Sequence, residues 1–186
     1  LLLFGTPFFL MIGYDFSSTL AIILPVSVLI SFLQIIYKRQ LNKESIVEYN
    51  VYTLPFLVFF LIFSIKTSFF DIKLSVSVLL IISSLLALIK NKVYSIKKYI
   101  RSYRKYILIY IGSIHGLTNM GGGFLSIFSS IINEKNKYLS RSYIAYGYFI
   151  MGILQIFTIA LISRESLSLF KWYYLIIPCC AFIPCQ

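Results

Sequence analysis

A stretch of 28 residues between Lys105 and Glu134 carries no charge, yet glycines and polar residues interrupt its centre. The interruption reads Gly112-Ser-Ile-His-Gly-Leu-Thr-Asn-Met-Gly-Gly-Gly123. Each of three consecutive glycines destabilises a helix by about 1 kcal/mol relative to alanine. A lipid bilayer supplies no water for the backbone groups that a broken helix releases. The sequence therefore predicts a helix break that protein or a wet cavity must cover.

The composition is that of a membrane protein. Hydrophobic residues make up 59% of the chain and charged residues 12%, outside the usual range of soluble domains. A helix needs roughly 20 apolar residues to cross a bilayer, whereas strands of a membrane barrel alternate polar and apolar residues. The sequence shows no such alternation. We predict an all-α, multi-pass protein of the cell membrane, with about six helices in the uncharged runs 16–37, 49–65, 74–89, 106–133, 142–163 and 172–186.

The net charge of +11 is concentrated in alternate loops. If every uncharged run crosses once, the loops 38–48, 90–105 and 164–171 share one side and hold 12 of the 17 Lys and Arg residues. The positive-inside rule then places these loops in the cytoplasm, and the loops 66–73 and 134–141 outside. A chain that turned back at the glycines would invert the order after them. This distribution explains the basic charge without a nucleic-acid partner.

The basic segment 91–105 separates the first three uncharged runs from the rest. Val93, Ile96, Ile100 and Tyr103 recur in it at helical spacing, and Lys or Arg fills many of the remaining positions. An interfacial helix on anionic lipid has this pattern. A solvated linker whose charges only fix the topology has it too. Both interpretations stay open, and the lipid bilayer is the partner in the first.

Two sequence matches at a nearly constant offset indicate an internal repeat. Residues 4–12 align with 124–132, and residues 31–36 with 152–157, at offsets of 120 and 121. Secondary transporters are commonly duplicated, and their binding sites form where discontinuous helices of the two repeats meet. We therefore predict a first transmembrane repeat in 1–90, a basic cytoplasmic linker in 91–105 and a second repeat in 106–186, with each repeat incomplete at its outer end.

The predicted break supplies a site for an anion. A helix that starts after a break presents free backbone N–H groups and a partial positive charge. We expect the first helix to end near Met120 and the second to begin near Phe124, so that the three glycines between them provide these N–H groups. The predicted binding residues here are His115, Thr118, Asn119, Gly121, Gly122 and Gly123.

Further candidate residues come from the first half and from the repeat. Gly5 and Thr6, followed by Pro7, predict a second irregular point in the backbone. Gln34 aligns with Gln155 under the repeat, and both fall within predicted spans. We therefore add Gly5, Thr6, Gln34 and Gln155 to the residues expected to bind the solute.

His115 is the only readily titrating side chain inside a predicted span. It is either a neutral histidine bonded to a helix carbonyl or a group that contacts the solute or senses pH. Gly112 and Gly116 lie four residues apart, a spacing typical of close helix packing. For these two glycines a structural interpretation is favoured.

The sequence lacks the motifs expected of an enzyme. Ser113 and His115 are two residues apart, so on a helix they point away from each other and cannot act as nucleophile and base. No HExxH, paired carboxylate or Walker loop occurs, and no Asp or Glu lies well inside a predicted span to relay protons. We expect no catalytic residue, no metal and no cofactor, and assign no function to Cys179, Cys180 and Cys185.

The glycine-rich segment resembles the signature of the sulfite exporter TauE/SafE family of membrane permeases, whose halves carry a G-x3-G-L-x-G-x-G-G-G-like motif. In this chain the motif runs from Gly112 to Gly123, with Asn119 where the family commonly has another glycine. The resemblance implies two halves of four helices, of which about six helices are present here. It also implies transport of small anions such as sulfite or organosulfur compounds.

These observations together predict a secondary transporter of a small anion. A non-transporting membrane scaffold or assembly protein, in which the glycines only serve packing, is the alternative from another class. A passive anion channel is a third interpretation. The oligomeric state stays open, and a homo-oligomer is compatible with the sequence.

Overall fold

The structure, a computed structural model, describes residues 2–37, 42–67, 71–88, 93–162 and Glu165. These residues form eight helices and no strand, which confirms the predicted all-α class. The helices are α1 Leu2–Ile12, α2 Phe16–Tyr37, α3 Lys43–Lys66, α4 Ile72–Leu88, α5 Val93–Ser102, α6 Arg104–Thr118, α7 Gly121–Ile132 and α8 Lys137–Ile162. They outnumber the expected six because the short helices α1 and α5 lie outside the predicted runs and the run 106–133 forms two helices. The predicted span 172–186, with the three cysteines, lies outside the described residues.

Three helices, α2, α3 and α8, are long and apolar enough to cross a membrane. The helices α3 and α8 begin before their uncharged runs, because polar side chains bind N–H groups of their first turns. The Asn42 side chain accepts a hydrogen bond from the Glu44 N–H at 3.0 Å. The Asn136 side chain accepts hydrogen bonds from the N–H groups of Tyr138 and Leu139 at 3.0 and 3.1 Å. The length and composition of these helices are those of a helical membrane protein.

The uncharged run 106–133 folds into two antiparallel helices. The 15 residues of α6 and the 12 residues of α7 extend about 22 and 18 Å, less than the roughly 30 Å of a hydrocarbon layer. The helix α7 lies back along α6, since the Tyr110 and Phe124 rings meet edge to face at 6.2 Å. At the tip of this hairpin, a Cβ added at Gly121 would lie 2.6 Å from the His115 Cβ. The chain therefore reverses direction between α6 and α7.

Because the chain returns, the loop after α7 lies at the same end of the molecule as α5. Lys97 Nζ lies 2.5 Å from a Glu134 carboxylate oxygen, and an Arg101 nitrogen lies 3.7 Å from the other oxygen. The hydrogen bond and charge of Lys97 hold the pKa of the Glu134 carboxyl below its ordinary value. The prediction that 90–105 and 134–141 lie on opposite sides is therefore wrong.

The corrected arrangement concentrates the positive charge further. The segments 43–48, 93–105 and 134–141, which we call the basic end, hold nine of the eleven Lys and Arg residues in the described part of the chain. The other two, Lys66 and Lys73, lie at the opposite end of α3 and in the first turn of α4. The segment 93–102 forms the predicted helix α5, and whether it rests on lipid stays a prediction.

The predicted irregular point at Gly5 and Thr6 is wrong, because α1 continues through both residues and through Pro7. The fixed φ of proline is helical, so a helix can pass through it with the loss of one backbone hydrogen bond. The backbone turns instead at Gly13, whose φ is 106°. A glycine at this φ carries no steric cost, and it lets the chain reverse from α1 into α2.

The helices α2 and α8 cross in opposite directions near their centres. The Phe32 and Phe149 rings stack at 5.7 Å, and a Cβ added at Gly152 would lie 2.5 Å from Val28. Shifting by the repeat offset of 120 or 121 converts the first contact into the second to within one residue. A two-fold axis between inverted copies of α1–α2 and α7–α8 would produce such paired contacts. The division into halves at 1–90 and 106–186 stays a prediction.

Two clusters of buried apolar side chains enclose a level of polar residues. The clusters include Leu20, Leu24, Met120 and Ile159 towards one end, and Ile111, Leu125, Phe128 and Met151 towards the basic end. Along the chain, His115 on α6 lies between Ile111 of one cluster and Met120 of the other, which follows the helix in the break. On α8, Gln155 lies between Met151 and Ile159 in the same way.

Candidate solute site at the break between α6 and α7

The break is made by Asn119 and Met120, just before the glycines. Asn119 has a φ of 60°, and its N–H donates to the His115 carbonyl oxygen at 2.8 Å. This left-handed conformation ends α6, and asparagine is one of the few residues that adopt it readily. The Thr118 hydroxyl donates to the Ile114 carbonyl at 2.8 Å and lies 3.4 Å from the Met120 nitrogen as acceptor. The break thus falls two to three residues earlier than expected.

The helix α7 begins at Gly121 instead of Phe124, so the three glycines form its first turn. The N–H groups of a first turn have no partner within the helix, and that of Gly123 lies 3.3 Å from the Met120 carbonyl oxygen. Gly121 and Gly122 are buried, and Gly123 is partly buried. The positive end of the α7 dipole therefore lies inside the bundle.

The buried glycines also allow close packing. A Cβ at Gly112 would overlap the Thr53 carbonyl oxygen, and one at Gly116 would overlap the Leu57 carbonyl oxygen, so α6 and α3 touch through their backbones. This confirms the structural interpretation of these two residues. A Cβ at Gly122 would overlap the Tyr148 ring. Tyr148 therefore lies against the first turn of α7, a contact that no sequence signal indicated.

Four predicted site residues come together beside the break, and we call His115, Asn119, Gln155 and Thr6 the polar layer. Each has 0% of its surface exposed. The Asn119 side-chain nitrogen donates to the Thr6 hydroxyl oxygen at 3.0 Å, which joins α1 to the α6–α7 hairpin. The Gln155 side chain lies close to the His115 imidazole, near enough for the two to hydrogen-bond to each other after a small rearrangement. Helices far apart in sequence thus contribute to one group of neutral polar side chains.

Most of the polar atoms in this layer are unpaired. Of the ten buried side-chain atoms without a hydrogen-bond partner in the described part of the chain, five belong to this layer: Nδ1 and Nε2 of His115, Oδ1 of Asn119, and Oε1 and Nε2 of Gln155. Leaving one buried polar group unpaired costs about 1 to 3 kcal/mol, and native structures rarely accept that cost several times in one place. The layer is therefore suited to polar groups of a solute or to water.

Of the two remaining predicted residues, Gly5 lies near the layer and Gln34 lies away from it. Gly5 precedes Thr6 on α1 and contacts Ile23, with 3.2 Å from an added Cβ to its side chain. Gln34 has an exposed side chain near the end of α2 that leads to the basic end, and no contact places it in the layer. Its repeat partner Gln155 is buried because α8 packs against α2, α3 and α7 at once.

Sequence reasoning missed Thr19, which is fully buried and whose hydroxyl has no hydrogen-bond partner among the described residues. It lies one helical turn before Ile23, the residue that contacts Gly5. Its position in the polar run Ser17-Ser18-Thr19 was the available signal. A hydroxyl-rich start of an apolar helix is, however, equally typical of a helix cap.

An open cleft leads towards the break from between α4 and α6. Its volume is about 280 Å³, and its lining residues are Leu74, Ser75, Val78, Leu79, Tyr110, Ile114, Leu117 and Thr118. Of these lining residues, Thr118 directly precedes Asn119 of the polar layer in the chain. Most of the lining is apolar.

Polar contacts tie the helices together at the basic end. Arg104 Nε lies 2.6 Å from a Glu48 carboxylate oxygen, and the same guanidinium donates to the Ser45 hydroxyl at 3.1 Å. The Asn50 side chain and the Tyr146 hydroxyl exchange hydrogen bonds at 2.9 and 3.1 Å. These contacts join α3 of the first predicted repeat to α8 of the second and to the start of α6. The described helices are therefore closed against one another at this end.

Neither metal chemistry nor similarity to other proteins adds to this description. Among the described residues, no group of three or more His, Cys, Asp or Glu could hold a metal ion. No protein-family model, curated protein or solved structure matches the chain.

Proposed function

We propose that this chain is a secondary membrane transporter of a small anion, and that the anion binds in the polar layer beside the α6–α7 break. The observation that carries the proposal is the set of five unpaired polar atoms on His115, Asn119 and Gln155, all three fully buried in an apolar bundle. A polar group without a partner is costly in such surroundings. A bound solute would remove that cost while it is held.

An anion suits this place better than a cation. The first turn of α7 brings backbone N–H groups and a partial positive charge to the break. The buried polar residues in the described part of the chain include no Asp or Glu that would repel an anion or pair with a cation. In this proposal Gly121, Gly122 and Gly123 supply backbone dipoles, and Thr118 and Asn119 orient the solute.

The arrangement of access routes favours a carrier over a passive channel. The ion pair of Glu48 with Arg104 closes the basic end, while the cleft between α4 and α6 ends at Thr118. Alternating access requires a site that is open by one route while the other route is closed. The Asn119–Thr6 hydrogen bond joins the two proposed halves at the level of the site, so that their relative rocking would act directly on the solute.

The substrate class of the proposal rests on the resemblance to the TauE/SafE family, which points to sulfite or an organosulfur compound. The departure from the family signature at Asn119 has a physical explanation. This residue has a φ of 60°, a conformation for which glycine and asparagine are the two favoured residues. The backbone of a glycine-type signature is therefore compatible with asparagine at this position.

The scaffold alternative, in which the glycines only serve packing, stays open. Gly112 and Gly116 contact α3 of the same chain, and Gly122 contacts Tyr148, so these glycines do serve packing. Packing alone does not explain the unpaired polar atoms beside the break, and for that reason we favour the transporter.

Uptake of labelled sulfite into liposomes containing the full-length protein tests the proposal. We expect saturable uptake with counterflow, and a loss of at least tenfold in Gln155→Leu, because that change removes a donor and an acceptor from the layer. Gln34→Leu is the matched control, since Gln34 is exposed outside the layer, and it should retain uptake. Uptake without saturation or counterflow would indicate a channel. Absence of uptake, or equal uptake by Gln155→Leu, would contradict the proposal.

A further inference from the structure

The polar layer offers hydrogen-bond acceptors as well as donors, and this restricts what it can hold. We propose that the substrate is a singly charged oxoanion that keeps a hydrogen-bond donor of its own, such as hydrogen sulfite or a hydroxyl-bearing sulfonate. The inference rests on the proposed function and narrows its substrate class. Anions without a donor, and doubly charged anions, are expected to bind less well.

The first half of this inference, that the solute has a hydrogen-bond donor, rests on the unpaired atoms of the layer. Gln155 presents one amide oxygen and one amide nitrogen, whichever way the amide is turned. A neutral imidazole at His115 presents one N–H donor and one acceptor nitrogen, and Asn119 adds an acceptor oxygen. If Gln155 and His115 pair with each other, one acceptor of that pair and the Asn119 oxygen remain. A bare anion can only accept hydrogen bonds, so it would leave these two acceptors unpaired. A solute with an O–H group pairs both kinds.

The second half of the inference, that the solute has a single negative charge, rests on the charges around the layer. Every buried polar residue in the described part of the chain is formally neutral at pH 7, with His115 counted as neutral. The elements packed around the imidazole contribute Gln155 from α8, Gly121 from α7 and, through Asn119, Thr6 from α1. The charged residues of α6, Arg104 and Lys105, lie about 15 Å or more along the helix from His115. Lys66 and Lys73 lie nearer the break but are exposed: Lys66 follows Ser64, which donates to the Leu117 carbonyl, and Lys73 precedes Leu74, which lines the cleft with Thr118.

Because none of the buried residues that the structure describes carries a fixed positive charge, the layer must stabilise an anion mainly by dipoles. The cost of transferring an ion out of water rises with the square of its charge, so a dianion costs about four times as much as a monoanion of equal size. The partial charge at the start of α7 is about half an elementary charge. It can offset a single negative charge more completely than a double one.

A matched pair of competitors tests the need for a donor. Isethionate and propane-1-sulfonate are both monoanions over the whole working pH range, and they have similar size, but only isethionate carries a hydroxyl. We expect isethionate to inhibit labelled sulfite uptake at a concentration at least tenfold lower than propane-1-sulfonate. Gln155→Leu should reduce this preference, and Gln34→Leu should preserve it. Equal inhibition, or a preference for propane-1-sulfonate, would overturn the inference.

The pH dependence of uptake tests the charge requirement. Sulfite uptake should rise as the pH falls, in proportion to the hydrogen sulfite fraction, and His115→Gln should keep the same profile because the proton belongs to the solute. Uptake that follows the dianion, or a profile that shifts in His115→Gln, would overturn the inference while leaving transport itself intact. Absence of sulfite uptake at every pH would instead overturn the proposed function, and this inference with it.

Discussion

Asn119 combines a backbone role with a side-chain role. Its left-handed backbone, at a φ of 60°, ends α6. Its amide reaches Thr6 at 3.0 Å and leaves one oxygen unpaired in the polar layer. The two roles can be separated, because glycine supports the same backbone without the side chain, whereas alanine opposes it.

We therefore expect Asn119→Gly and Asn119→Ala to differ in stability but not in uptake. Both lose the hydrogen bond to Thr6, worth about 0.5 to 1.5 kcal/mol, and both should lose most sulfite uptake. Asn119→Ala should lose about 1 to 2 kcal/mol more, the cost of a left-handed backbone. Chemical denaturation of the purified protein in detergent measures the difference. Equal stability of the two variants would show that the backbone at this position relaxes freely.

Between elements, the closest approach is that of α3 and α6. Gly112 and Gly116 bring the backbones together, and the Ser64 hydroxyl donates to the Leu117 carbonyl oxygen at 3.1 Å at the far end of the same contact. This interface holds α6 in place, and α6 in turn positions His115 and Asn119. A change at the interface should therefore affect folding before it affects solute binding.

Gly112→Ala tests this element. Its new methyl group would overlap the Thr53 carbonyl oxygen, a backbone atom that cannot rotate away, and we expect a loss of about 1 to 3 kcal/mol in the free energy of unfolding. Gly5→Ala is the control, because its nearest neighbour is the flexible end of Ile23 at 3.2 Å. It should cost less than about 1 kcal/mol. Denaturation of both variants under identical conditions decides, and similar losses would contradict a backbone contact between α3 and α6.

The sequence predicted the existence of the break between α6 and α7 but neither its position nor the direction of the chain after it. Three glycines indicate that a helix is unstable there, but the left-handed residue is Asn119, which precedes them. The reversal depends on long-range contacts such as Lys97 with Glu134 and Tyr110 with Phe124. Local propensity carries no information about such pairs. At Pro7 the reverse happened, since a local signal predicted an irregularity that α1 does not have.

For the whole molecule, composition and charge-free length were sufficient to predict the helical class and the three long helices α2, α3 and α8. Which loops lie at the same end of the molecule could be determined only from the fold. Once the α6–α7 hairpin is allowed to return, the loop 134–141 joins 43–48 and 93–105 at the basic end, and the positive charge becomes more one-sided than predicted. The positive-inside rule then predicts that the basic end faces the cytoplasm.

The return of the chain at the α6–α7 break can be measured by the accessibility of single cysteines to a membrane-impermeant maleimide. In full-length protein with Cys179, Cys180 and Cys185 replaced by serine, we would compare Lys98→Cys, Lys135→Cys and Lys73→Cys in sealed vesicles. We expect the first two to be labelled from one side of the membrane and Lys73→Cys only from the other. If Lys135→Cys were labelled together with Lys73→Cys, the run 106–133 would cross the membrane, and a buried site at a returning hairpin would be contradicted.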